Sequence, residues 1–213
     1  MAQPLVILGT HWLAEEIFDL VSDLPEYEVT AFVENWDRAR CELEIEGRPV
    51  LWVEALADLT ETHLAMCALG TTQRRALIEQ VEGMGMGFAT IVHPTAHVSS
   101  RATLSAGCFV GAQAVIATRT HLEPHVFVNR GVLIGHHARI GRYTSLLCGA
   151  NVAGRVTVGE SSYLGMGAVV LDTLSVGSYS VVGAGAVVTK DVPDRVKVMG
   201  VPARIVETEI EGK

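Results

Sequence analysis

Two adjacent histidines, His136 and His137, stand in the stretch VNRGVLIGHHARIG (Val128 to Gly141), between short aliphatic runs that lack helical spacing. Imidazoles do two kinds of chemistry near neutral pH: they accept and return protons, and they ligate metals. Ligation needs donors that converge on one point. Neighbouring residues of an extended strand point to opposite faces, so this pair is not expected to hold one ion together. His93 with His97, and His121 with His125, are each separated by three residues; the first pair reads as structural or surface. Cys41, Cys67, Cys108 and Cys148 lie far apart with no CxxC spacing, which points to reduced core thiols and not to a disulfide framework or a zinc site. No metal is expected, and spacing alone leaves open whether either histidine of the pair carries chemistry.

The elements that must position the pair come from the spacing of apolar residues. Starting at Val92 and stepping by six, the chain presents an aliphatic residue seventeen times in succession, ending at Val188. The next residue is often small, as at Gly111, Ala117, Gly135, Gly141, Gly159 and Gly165. A helix would rotate such a series off its face within two turns, and a simple alternating strand does not produce it. A period of six without long helices is the signature of a parallel β-helix, in which each side of each turn buries one aliphatic residue. Before His93-Pro94 the texture differs. LVILG (Leu5 to Gly9) is a buried-strand run, followed by helical spacing at Leu13, Ile17, Leu20, Val21 and Leu24. YEVTAFVE (Tyr27 to Glu34) alternates as a second strand, GRPVL carries a short turn and extension, and HLAMCALG (His63 to Gly70) is a third strand. TTQRRALIEQVEGMG then reads as a helix with Thr71 or Thr72 as N-cap. The expected organisation is a small Rossmann-like α/β domain with a parallel sheet over residues 1–90, followed by a β-helix domain with a terminal cap over 91–213.

Nearly the whole chain resembles a known family. The stretches LVILG, AFVEN followed by EGRPVL, ALGTTQRR, IVHPTAHVS, FVNRGVLIGHHARIG, NVAGRVTVGESSYLGMGAVV and VVGAGAVVTKDVPDRVKVMGVPARIV are similar to the hexapeptide-repeat sugar acetyltransferases. These bacterial enzymes join a small nucleotide-binding α/β domain to a left-handed β-helix. They acetylate UDP-linked 4-amino sugars such as the bacillosamine precursor, or perosamine, and a related branch comprises sialic-acid O-acetyltransferases. The resemblance implies acetyl-CoA as cosubstrate, no metal, a nucleotide-linked amino sugar as acceptor, and a homotrimer with active sites between subunits. Two other outcomes stay open: O-acetylation of a sugar hydroxyl, and a sugar-nucleotide-binding β-helix that has lost its chemistry.

By the same resemblance His136 is the general base that takes a proton as the acceptor attacks the thioester. The family places an acidic residue next to that base, where this chain has His137, so His137 is the alternative proton acceptor; the alternative to any catalytic role is a pair of exposed histidines at a β-helix corner. A second family histidine corresponds to Ser145. Gly149 is expected to offer its N–H to the thioester oxygen. Asn129, Ser145, Gly149, Gly167 and Gly185 are the expected cofactor contacts, with Lys190, Lys197 and Arg204 for its phosphates. In the first domain, ligands of a parallel sheet sit beyond the carboxyl ends of the strands. Gly9, Thr10 and His11, Glu34 and Asn35, and Gly70 are therefore the substrate candidates, with Arg74 or Arg75 for a diphosphate. The loop after the first strand lacks GxGxxG, which argues against NAD.

Composition bounds the partners. A formal net charge of -8 argues against a general binder of nucleic acid or anionic membrane. The longest apolar runs fall short of a bilayer's thickness. A cytoplasmic protein is expected.

Overall fold

The computed structural model describes residues 2–213, which divide into two compact units. One comprises the residues up to Gly70 together with Arg74–Ile91, and the other joins Thr71–Gln73 to Val92–Lys213.

In the first unit β1 (Gln3–Leu8), α1 (Trp12–Ser22), β2 (Tyr27–Glu34), β3 (Glu44–Ile45), β4 (Arg48–Trp52), β5 (Leu64–Cys67), α2 (Arg74–Gly83) and β6 (Gly87–Phe88) build one sheet in the order β3-β4-β2-β1-β5-β6. All pairs are parallel except the β3–β4 hairpin. GRPVL is therefore more than a turn and extension: β4 lies parallel to β2, with Phe32 opposite Val50. Leu5, Val6, Ile7 and Leu8 are completely buried, which is why this run has no alternation. Ala14, Ile17, Leu20 and Val21 form the buried stripe of α1.

Seventeen two-residue strands follow, from β7 (Ile91–Val92), which straddles the boundary in sequence, to β23 (Val187–Val188) in the second unit, each ending on a member of the period-six series. They stack as three parallel sheets whose strands recur every eighteen residues, so that Val110, Val128 and Leu146 lie in register. The series points inward, and from Val110 to Val188 every member is at most 2% exposed. Burying each such side chain contributes about 1.5–3 kcal/mol. The corners obey their own rule. From Gly107 to Gly185 every sixth residue turns through the left-handed region, with φ between 52 and 73°. The strand β24 (Val196–Met199) continues one sheet and pairs antiparallel with β25 (Arg204–Thr208).

Thr72 is not spent on the helix. Its hydroxyl accepts the Lys213 N–H and donates to the Lys213 carbonyl, both at 2.8 Å, within the second unit.

Candidate functional site

His136 and His137 occupy neither face of a strand. With strands of two residues, the positions two and three after each inward aliphatic residue fall at a corner. The pair forms the turn between β14 (Leu133–Ile134) and β15 (Arg139–Ile140), with His137 in the left-handed position at φ 59°. This corrects the expectation that the side chains diverge. The two Nδ1 atoms are 3.1 Å apart, and the rings meet edge to face with centroids 5.2 Å apart. One Nδ1 must donate and the other accept, so at most one ring offers Nδ1 as a lone pair to the other at a time. Both side chains are exposed. Among the described residues no three His, Cys, Asp or Glu side chains gather as a metal site.

One turn further along, Gly154 lies against the imidazole. A Cβ on Gly154 would stand 2.7 Å from His136 Nε2 and 2.8 Å from Cε1. No left-handed φ demands glycine there; the missing side chain makes room for the ring edge that carries Nε2. The His136 carbonyl accepts the Arg155 N–H at 2.8 Å, and the Thr118 carbonyl accepts the His137 N–H at 3.0 Å, so the corner is fixed to the turns on both sides.

The expected cofactor residues divide among different places. Gly149, Gly167 and Gly185 are stacked on another edge of the β-helix, at φ 69, 64 and 65°, and a Cβ on any of them would meet nothing within 4 Å. They form a bare backbone track. Their N–H groups, however, donate to Arg130, Cys148 and Met166 carbonyls at 3.1, 3.0 and 2.8 Å. The Gly149 N–H, expected at a thioester oxygen, is thus engaged by the Arg130 carbonyl of the adjoining turn. Asn129 begins the same edge and caps the Arg130 N–H at 2.7 Å. Ser145 is completely buried on β16 (Ser145–Leu146), between Phe127 and Tyr163. Lys190 and Arg204 line one cavity of about 380 Å³. Lys197 lines a larger one of about 660 Å³, beside Gly165, Met166, Gly183 and the segment Glu207–Lys213, and pairs with Glu207 at 3.4 Å.

In the first unit the candidate residues assemble at the carboxyl ends of β1 and β2. Gly9, at φ 119°, donates its N–H to the Val33 carbonyl at 2.9 Å. Thr10 donates its hydroxyl to Glu34 Oε2, while Glu34 Oε1 accepts the N–H groups of Asn35, Trp36 and Asp37 at 2.9, 2.8 and 3.5 Å. Burial works against the Glu34 charge, but the Thr10 hydroxyl and these three N–H groups outweigh it and hold the carboxyl below its ordinary range. Arg40, absent from the sequence candidates, completes the cluster. Its Nε donates to Thr10 Oγ1 at 2.8 Å, its terminal nitrogen to the Thr10 carbonyl, and it lies 3.6 Å from Glu34 Oε2. Glu34 is therefore a brace between two loops, with little capacity left for ribose. No local pattern marks Arg40, thirty residues from Thr10.

His11 is the N-cap of α1 and makes no side-chain cap bond; Asn35 is exposed. Gly70 follows β5, where a Cβ would meet only Leu13 Cδ2, at 3.5 Å. Arg74 is 2% exposed at the start of α2, closed off from a diphosphate in bulk solvent, and Arg75 pairs with Glu79 at 2.7 Å. Burial pushes the Cys67 thiol up to about 11, opposed by the Arg74 charge.

No protein-family model and no curated protein matches the chain. Solved structures do. The acetyltransferase domain of PglB from Neisseria gonorrhoeae FA1090 is 29% identical, with a TM-score of 0.87 over 96% of this chain and 100% of that one. The same domain in complex with acetyl coenzyme A is 28% identical, with a TM-score of 0.88 over 97% and 100% of the two chains. A mutant of perosamine N-acetyltransferase from Caulobacter crescentus, in complex with CoA and GDP-perosamine, is 28% identical with a TM-score of 0.88, covering 96% and 97%. WeeI from Acinetobacter baumannii AYE, at 23% identity and a TM-score of 0.87, shares the fold.

Proposed function

We propose that this chain, a small α/β domain joined to a left-handed β-helix like those of the hexapeptide-repeat sugar acetyltransferases it resembles along nearly its whole length, moves an acetyl group from acetyl-CoA to the amino group of a nucleotide-linked amino sugar. The observation that carries the mechanism is the imidazole pair at 3.1 Å with His136 seated over Gly154. With Nδ1–H of His136 donated to Nδ1 of His137, Nε2 of His136 bears the lone pair that a general base needs. As the sugar nitrogen attacks the thioester carbon, Nε2 takes its proton. The C–N bond forms, the tetrahedral carbon collapses, the C–S bond breaks, and the coenzyme leaves as thiolate, to which the imidazolium returns the proton. His137 holds the ring in the productive tautomer as an acidic partner would, but without negative charge.

Support for an active site shared between subunits comes from the edges of the β-helix. The glycine track and the histidine corner lie on different edges, with one parallel sheet of two-residue strands, β14 (Leu133–Ile134) among them, between the two. The sheet between them exposes Val115 and Leu133, 36% and 43% accessible. A homotrimer of side-by-side β-helices would cover these residues and bring the His136 corner of one chain to the Gly149, Gly167 and Gly185 track of the next. Lys190 and Arg204, converging on one cavity, are the phosphate contacts this reading favours over the Glu207-paired Lys197. The nucleotide end of the acceptor falls to the first domain, at the loops of Thr10, His11 and Asn35.

The test is the bond made in the product. Incubation with acetyl-CoA and a nucleotide-linked 4-amino sugar should give an acetylated sugar nucleotide whose acetyl group resists hydroxylamine, as an amide does. A hydroxylamine-labile product would replace N-acetyl by O-acetyl transfer.

A further inference from the structure

Trp12 and Trp36 are 86% and 91% exposed. An indole buries some 150–250 Å² when packed, so two left in water forgo a large hydrophobic gain. Mobility of the carrying loops does not account for this, because both backbones are tied down. Trp12 opens α1 three residues after Gly9, whose N–H is bonded to Val33. Trp36 donates its own N–H to Glu34 Oε1 at 2.8 Å. The Thr10 hydroxyl, the Glu34 carboxylate and the Arg40 guanidinium then bind one loop to the other. A buried polar cluster thus prearranges two neighbouring loops, each with an indole in solvent, at the carboxyl ends of two adjacent parallel strands, where such sheets take ligands.

We propose that Trp12 and Trp36 are the stacking platform for the nucleobase of the sugar nucleotide, an inference that rests on the nucleotide-sugar reading above. Every base has a π face, and stacking on an aromatic side chain supplies affinity without needing base-edge hydrogen bonds. That suits a site whose one buried carboxylate is consumed by its own loops. The exposed Asn35 beside Trp36 supplies the amide that can read a base edge.

The experiment titrates UDP, GDP and inorganic pyrophosphate into the full-length protein by calorimetry, with the wild type, Trp12→Ala and Trp36→Ala, and weighs each protein in solution. Each substitution should weaken UDP or GDP binding about tenfold or more, the lower half of the range for one stacked base, and leave pyrophosphate binding and assembly mass unchanged. Wild-type affinity in both variants, no nucleotide binding by the wild type, or a changed assembly mass that assigns the indoles to a subunit contact would each overturn the platform. Thiol release from acetyl-CoA is followed in parallel. Release with indole-independent binding sinks the platform alone, whereas indole-dependent binding without release leaves it standing and sinks the transfer reaction.

Discussion

Replacing Gly154 by alanine would place a methyl carbon 2.7 Å from Nε2, 2.8 Å from Cε1 and 3.2 Å from Cδ2 of His136. Ordinary contact between such atoms begins near 3.4 Å, so the ring must retreat by roughly 0.7 Å or swing to another rotamer. His136 is exposed, so it has room to move. The backbone at Gly154 lies outside the left-handed region, so alanine adds no strain and stabilises by about 0.4–1 kcal/mol through the unfolded chain. Stability and catalysis should therefore part company. Thermal unfolding should stay within a few degrees of the wild type, while kcat falls by about 10²-fold, the cost of displacing a catalytic group by about 1 Å. The assay is thiol release at saturating acetyl-CoA and acceptor beside a circular-dichroism melt. Gly149→Ala is the contrast: open space but φ +69°, so about 1 kcal/mol or more of strain with the imidazole undisturbed. Full activity in Gly154→Ala would refute the argument that this glycine seats the base.

His137→Asp restores a negative partner, which favours the imidazolium, and aspartate tolerates the left-handed corner; the acidic limb of the kcat profile should move to higher pH, and an unmoved limb contradicts the neutral-partner mechanism. Glu34, lowered when folded, contributes stability that is present above its ordinary value of 4.5 and is lost as pH falls through the lower folded value. Glu34→Gln should therefore lower the melting temperature at neutral pH, with the difference between the two proteins shrinking as the pH falls below 4.5; a constant difference at all pH values would show the cause is not charge. Leu146→Ala, at a completely buried position in the β-helix, should cost about 2–5 kcal/mol in urea unfolding without altering KM.

What the sequence made legible follows from which physical signals are local. A period of six is a consequence of identical corners, so it marked all seventeen strands and the inward face. It also contained the answer to the histidine pair: His137 lies three residues after Ile134, the position that turns at every corner from Gly107 onward. A corner was one reading of the pair, but the geometry of an extended strand, used to set the two side chains apart, hid the contact between the rings. The Thr10–Glu34–Arg40 brace was out of reach because its members are distant in sequence and meet only when β1 and β2 pair. Gly149 shows a different limit: the sequence marks a glycine in a motif but not the Arg130 carbonyl that the stacking of turns brings to its N–H.

The most direct test of the account is acceptor-dependent thiol release from acetyl-CoA by the wild type and by His136→Ala, each shown to be folded. The account predicts release that requires the nucleotide-linked amino sugar and falls by about 10²–10⁴-fold in His136→Ala. Undiminished release by His136→Ala, or no release by the wild type, would contradict it.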